Sequence, residues 1–252
     1  MAIRFLTDIP ALFISDKKIL VISELHLGLE YDLYKSGIRI PSQRRKFEET
    51  IEQLIKLTKA KTLIILGDIK HKVPGSTIRE DVEIPRFLEN LKEKIKVILI
   101  KGNHDDNIEG IVPSGVKIYG SRGYKIGEYG FFHGHAWPSK KLMECDYLFM
   151  GHVHPAIEFK DLFGFRSFLS VWLKGKLNQK LVKEKYKLKK TGKLNAILLP
   201  TFNNILGGAV LNRIEKGKHT GPLFVNKIFD LNSSKIYLLD GTYLGILKEL
   251  KK

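Results

Sequence analysis

The chain has 252 residues, 43% of them hydrophobic and 28% charged, which is enough for one large domain with a full core and too apolar for low-complexity disorder. Lysine plus arginine number 43 against 27 acidic residues, a formal net charge of +16, and a field of that sign draws phosphate-bearing partners. No apolar run approaches the roughly 20 residues of a bilayer span, the start Met1-Ala2-Ile3-Arg4-Phe5 lacks a signal-peptide pattern, and the single Cys145 excludes an internal disulfide framework. The expectation is a soluble, cytoplasmic protein with no membrane partner, in which any metal sits on nitrogen and oxygen ligands.

Taken in chain order, residues 11–23 predict a hairpin with a polar turn at Ser15-Asp16-Lys17-Lys18, its second strand ending at Ser23-Glu24-Leu25-His26. From Pro41-Ser42 to about Lys59 the pattern is helical, with Phe47, Ile51, Leu54 and Ile55 at three- and four-residue steps. Thr62-Leu63-Ile64-Ile65-Leu66 then suits a strand buried on both faces and ends in Gly67-Asp68, completing a β-α-β unit. A second unit follows: a helix over 84–94 with Pro85 in its first turn, and a strand over 97–100 ending at Gly102-Asn103-His104-Asp105. Strands over 116–119, 124–126 and 130–132, the last followed by His133-Gly134-His135, predict an antiparallel or mixed second sheet. The apolar run over 146–150 leads into Gly151-His152-Val153-His154.

Beyond Pro155 the pattern loosens into candidate strands over 157–159, 163–171, 196–199 and 235–239. The segment 172–193 carries nine lysines against the single acid Glu184. A single domain over 1–252 is expected, its motif-bearing core at about 11–155 and its basic part at about 156–252 either completing the second sheet or forming a small appendage.

Glu24 with His26, Asp68, Asn103 with His104, His133 with His135, and His152 with His154 thus all follow apolar strands. Buried strands of α/β sheets deliver functional residues at their carboxyl ends. In an extended segment alternate side chains share a face, so His152 and His154 can aim at one volume once Gly151 lets the backbone turn. Mixed imidazole and carboxylate shells suit divalent cations such as Mn²⁺, Fe²⁺ or Zn²⁺. A pair of cations needs a bridging carboxylate, for which Asp68 is the natural choice.

These blocks resemble, in order, the calcineurin-like metallophosphoesterase pattern D-x-H, G-D, G-N-H-[DE], H and G-H-x-H, over roughly residues 19–155. Leu25-His26-Leu27-Gly28 and Gly67-Asp68-Ile69-Lys70-His71 look most like archaeal phosphoesterases related to the Mre11 and SbcD nucleases. The resemblance implies a four-layer α/β/β/α sandwich of two mixed sheets with two divalent metals at one edge, Mn²⁺ first and Fe²⁺, Zn²⁺, Ni²⁺ or Mg²⁺ as alternatives. It implies that Glu24, His26 and His154 hold the first metal, Asn103, His133 and His152 the second, and Asp68 both, with His104 beside the scissile phosphate. Glu24 departs from the family's Asp; being one methylene longer, it is expected to retune the first site, and a return to Asp is expected to be tolerated.

The activity so implied is hydrolysis of a phosphate ester by a metal-bridging hydroxide, with the basic balance favouring a phosphodiesterase or nuclease acting on nucleic acid. The alternatives are a small-metabolite phosphatase or pyrophosphatase and, less in keeping with complete ligand blocks, a non-catalytic scaffold. His135, Lys70 and Arg122 are candidate substrate contacts, with a swap of roles between His133 and His135 as the other reading. His71 and His219 are expected to be surface or supporting histidines, Trp137 and Trp172 packing residues, and Cys145 a small buried hydrophobe.

Overall fold

In the computed structural model, which describes residues 2–213 and 221–251, the chain opens with three short strands: β1 (Ile3–Phe5), β2 (Leu12–Ile14) and β3 (Ile19–Ile22). A short helix that the sequence pattern does not announce, α1 (Leu29–Lys35), follows the β3 end, and α2 (Arg44–Thr58) leads into β4 (Thr62–Ile65). The helix α3 (Ile78–Lys92) precedes β5 (Lys96–Ile100), and β6 (Lys117–Tyr119) closes the first sheet, ordered β1-β2-β3-β4-β5-β6. β3 through β6 are parallel, while β1 and β2 pair antiparallel.

Alternation explains why the central strands read as unbroken apolar runs. Leu20, Leu63, Ile65, Val97 and Leu99 face the helix side with Phe47, Ile51 and Phe87, whereas Val21, Ile64, Ile98 and Ile100 face the other sheet. Both faces are covered, so no polar position is required. α3 begins before the expected 84–94 because Thr77 caps it, its side chain accepting from the Glu80 N–H while the Glu80 carboxylate reaches back to the Thr77 N–H. Pro85 therefore lies in the helix interior rather than its first turn, where the buried stripe Ile84, Phe87, Leu88 and Leu91 offsets the lost ladder bond.

The second sheet is mixed. It comprises β7 (Tyr124–Ile126), β8 (Tyr129–Phe132), β9 (Tyr147–Met150), β10 (Pro155–Lys160), β11 (Arg166–Lys176), β12 (Asn195–Leu198), β13 (Ala209–Val210), β14 (Lys235–Leu238) and β15 (Tyr243–Ile246). The order is β13-β10-β11-β12-β9-β8-β7, with β14 joined to β11 and β15 to β14. Phe131, Phe149, Trp172 and Ile197 pack inward against the first sheet. Phe132, Leu148, Met150 and Leu198 face outward onto Leu142, Met143 and the helix α4 (Gln179–Tyr186). Helices therefore cover the outside of two apposed sheets, a mixed α/β sandwich.

The lysine-rich segment 172–193 resolves into the end of β11, α4 and the following loop. α4 starts at Asn178, whose side chain accepts from the N–H groups of Lys180 and Leu181 at 3.0 and 3.2 Å, and Val182 is its buried anchor. Cys145 and Trp172 are buried, as packing residues should be. Among the described residues no helix is long and apolar enough to cross a membrane.

Candidate metal centre

Parallel strands place their carboxyl ends at one edge of a sheet. β3, β4 and β5 of the first sheet deliver Glu24 and His26, Asp68, and Asn103 and His104; β8 and β9 of the second deliver His133, and His152 and His154. The two edges meet, and the imidazoles and carboxylates converge across the seam.

The backbone achieves this by a different route from the extended alternation read from the sequence. Glu24, His26, Asp68, His152 and His154 all have positive φ, of 61°, 43°, 50°, 67° and 47°. Left-handed conformations of this kind cost energy in non-glycine residues and cluster at functional sites. They turn the pairs Glu24/His26 and His152/His154 into the seam while the intervening Leu25 and Val153 go into the two cores. Gly151 serves close approach rather than the turn, since a Cβ there would stand 2.5 Å from Glu24 Oε1. Gly67 serves both, with a φ of 82° and a Cβ position only 2.5 Å from His133 Nδ1.

Three groups of donor atoms result, each within 4.8 Å: one of imidazoles alone, His26, His71 and His104, and two that carry carboxylates, Glu24, His26, Asp68 and His154, and Asp68, His133 and His152. Asp68 belongs to both of the carboxylate-bearing groups. In the first of these, Glu24 Oε2 lies 2.7 Å from His154 Nε2 and 3.1 Å from His26 Nε2. In the second, Asp68 Oδ2 lies 3.3 Å from His133 Nε2, and the same nitrogen is 3.2 Å from Asn103 Oδ1. His133 Nδ1 points to the Leu66 carbonyl at 2.7 Å. A hydrogen on Nδ1 leaves the Nε2 lone pair for the seam.

The electrostatics follow from two carboxylates buried, among the described residues, without a lysine or arginine beside them. Burial drives the Glu24 carboxyl upward, but the charges of His133 and His154 overcome it and hold it well below its usual range. Burial also disfavours charge on His133, yet Glu24 and Asp68 raise it to about 10. His152 is pushed down to about 4 by burial and then by His133. The two buried carboxylates thus favour positive charge at the seam. Oxygen and nitrogen donors of this kind, with no thiolate, fit a divalent cation in either carboxylate-bearing group.

His104 stands beside the two carboxylate-bearing groups. Its Nδ1 donates to the His71 carbonyl at 2.6 Å and its N–H to Asp68 Oδ1 at 2.9 Å, and its ring lies 4.8 Å from that of His26. His71 is half-buried, its Nδ1 3.3 Å from His26 Nδ1 and its Nε2 3.4 Å from Asp32 Oδ2. His135 has its Nδ1 buried without a hydrogen-bond partner among the described residues. It lines a cleft of about 520 Å³ together with Lys101, Gly102, Asn103 and Ser121, which makes Lys101 and Ser121 cleft residues that no sequence pattern singles out.

The other two candidate substrate contacts do not line that cleft themselves. Lys70 is buried, and its ammonium donates to the carbonyls of Lys72 and Gly75 and to Asp106, so all three N–H groups are spent on shaping a loop. Arg122 is exposed and does not line the cleft. His219 lies outside the described residues.

Asp105, a motif residue to which the sequence pattern gives no role, is the hub of the local backbone. Its carboxylate accepts the N–H groups of Asp68 and Gly102, both at 2.8 Å, and of Ile69 and Lys70 at 3.1 and 3.3 Å. It therefore ties the turn after β4 to the turn after β5. No periodicity could have signalled this role, because it depends on two strands lying side by side.

A family model described as calcineurin-like phosphoesterase matches residues 17–199. Among solved structures, the chain resembles a Pseudomonas putida nuclease, MPE, at 18% identity over 93% of this chain and 92% of that one, with a TM-score of 0.56. It also resembles Yfce, a phosphoesterase from E. coli, at 16% identity over 90% of this chain and 96% of that one, with a TM-score of 0.43. At 18% identity the likeness to MPE concerns the fold alone. No curated protein matches the sequence.

Proposed function

The chain belongs to the calcineurin-like phosphoesterase family and is a metal-dependent hydrolase, and from that premise we propose that it is a dinuclear phosphodiesterase acting on nucleic acid. The observation that carries the reading is the sharing of Asp68 by two donor groups. Glu24, His26 and His154 would hold one cation, Asn103, His133 and His152 the other, and Asp68 both. Bound there, divalent cations polarise a phosphoryl oxygen and bring the pKa of water toward neutrality.

The remaining chemistry belongs to the chain. His104 keeps a hydrogen on Nδ1 for the His71 carbonyl, so as imidazolium it presents Nε2–H, which can stabilise charge on the phosphoryl oxygens and protonate the leaving oxygen. His135 and Lys101, at the wall of the cleft, are placed to hold the ester. The kinship to Mre11 and SbcD nucleases is part of this proposal; its support is Gly67-Asp68-Ile69-Lys70-His71, whose last residue faces His26.

Diester over monoester rests on the charge of +16 and on Lys183, Lys185, Lys187, Lys189 and Lys190, all exposed on and after α4. With Mn²⁺ added, the protein is expected to hydrolyse a generic diester and single-stranded DNA faster than a generic monoester; the reverse order would assign it to small-metabolite phosphatases. Replacing the five lysines with Gln should flatten the dependence of DNA affinity on salt, by about 0.7 in log–log slope for each phosphate no longer neutralised, and leave hydrolysis of a small diester unchanged. An unaltered slope would reduce these lysines to a solvated face.

For Glu24→Asp we propose a loss rather than the tolerance expected from the sequence. Glu24 Oε1 accepts the His152 N–H at 2.6 Å and the Ser23 hydroxyl at 3.0 Å, while Oε2 faces His26 and His154. The extra methylene lets one carboxylate clamp the loop after β9 and offer an oxygen to the seam. Aspartate cannot span both, so Glu24→Asp should weaken one of the two metal equivalents about 10- to 100-fold and spare the other, read by calorimetric titration. Wild-type affinity at both would show that the clamp is dispensable.

A further inference from the structure

β10 and β11 continue as a hairpin past their other neighbours. Residues 156–160 pair with 166–170, but β13 reaches only Pro155 and Ala156, and β12 and β14 engage β11 from Val171 onward. The turn is well built, with Asp161 Oδ1 accepting the N–H groups of Phe163 and Phe165, both at 2.9 Å. Yet Leu162 and Phe163 are wholly exposed, and Phe165, Phe168 and Leu169 are exposed beside them. A lone two-stranded ribbon is marginal in water, and so many exposed large apolar side chains on one short hairpin point to an interaction surface.

The two edges of the ribbon differ. On β10, the Asn212 side chain takes both the N–H and the C=O of Glu158, at 3.0 and 2.9 Å, so that edge is closed. These bonds also fix the pairing pattern: Glu158 points its backbone away from β11, and its opposite residue Phe168 must point its own away from β10. By the two-residue period Arg166 and Ser170 do the same. No strand pairs this edge of β11 among the described residues.

We propose that this edge pairs antiparallel with itself, making the protein a two-fold dimer whose axis passes through Phe168. Pairing of the whole of 166–170 sets Phe168 against Phe168 of the second copy, Arg166 against Ser170, and Ser167 against Leu169. Like charges are never opposed, and an isologous interface is closed, so it does not propagate into fibres. The neighbouring rows extend the match, since Phe159 lies beside Ser167 and Ile157 beside Leu169 on one face. The occupant is a second copy rather than a polyanion because residues 156–170 carry Glu158 and Asp161 against Lys160 and Arg166 and are neutral. Glu158 is moreover held by Arg166 and Arg213 at 3.3 and 3.1 Å.

Sedimentation equilibrium of the full chain should show a concentration-dependent monomer–dimer equilibrium. Phe168→Glu opposes two carboxylates and should give monomer, as should Phe168→Lys alone, whereas a mixture of the two variants should restore a dimer with one chain of each. With Phe168→Cys, a short bismaleimide should link two chains, and Phe163→Cys, off the axis, should not link; Cys145 is buried and gives no background. Hydrolysis of a small diester should be unchanged throughout, which verifies folding. A wild-type chain monomeric at all concentrations, or a dimer indifferent to position 168, overturns the proposal. So does a monomer that binds an oligonucleotide or an anionic vesicle through Phe168, which would give the strip to that ligand.

Discussion

Asp68→Asn should leave a folded protein that retains neither metal tightly, with turnover lower by more than the ~10²–10³-fold that loss of a single stabilising donor costs. The folded state survives because the amide keeps an oxygen where Oδ1 accepts the His104 N–H at 2.9 Å. It also leaves in place the backbone N–H of residue 68, which bonds Asp105. What disappears is the charge. Both carboxylate-bearing groups contain Asp68, and without it the second group is left with Asn103 and two histidines, no carboxylate among them. Metal content by mass spectrometry and turnover on a generic diester, measured on the same preparation, decide the matter. Wild-type turnover with two metals bound would refute the bridging role.

For His104→Ala the expected result is the opposite combination, full metal content with a rate lower by ~10²-fold or more. The side chain lies beside the shared carboxylate without belonging to either carboxylate-bearing group, and its Nε2 has no hydrogen bond among the described residues. The backbone N–H that bonds Asp68 survives the substitution, so the geometry of the seam should be retained. His104 does fall within reach of His26 and His71. Loss of one metal equivalent would therefore locate a cation among these three imidazoles and remove His104 from its catalytic role.

Much of the site was legible because its chemistry is local. A glycine and an acid after a doubly buried strand, or paired histidines after another, can be recognised without knowing what the strands touch. The family pattern in Glu24, His26, Asp68, Asn103, His133, His152 and His154 needs only order and spacing. Lys70 shows the limit. A lysine two residues from Asp68 reads as a phosphate ligand, but it is buried and its ammonium turns under a surface loop to Gly75 and Asp106, which come from separate stretches of chain. α4 was hidden for a related reason, since its lysines mask a helix whose buried anchor is Val182 alone.

By itself, then, the sequence determined the strand cores and the candidate donor residues, because period-two burial and the chemical identity of a side chain are properties of short segments. Only the tertiary structure decided which oxygen of Glu24 faces His154 and which clamps His152, that Asp105 joins two turns, and that one edge of β11 is left without a paired strand among the described residues. Each of those outcomes depends on two segments distant in the chain meeting within hydrogen-bond distance. That approach is set by how the two sheets pack, which no local pattern encodes.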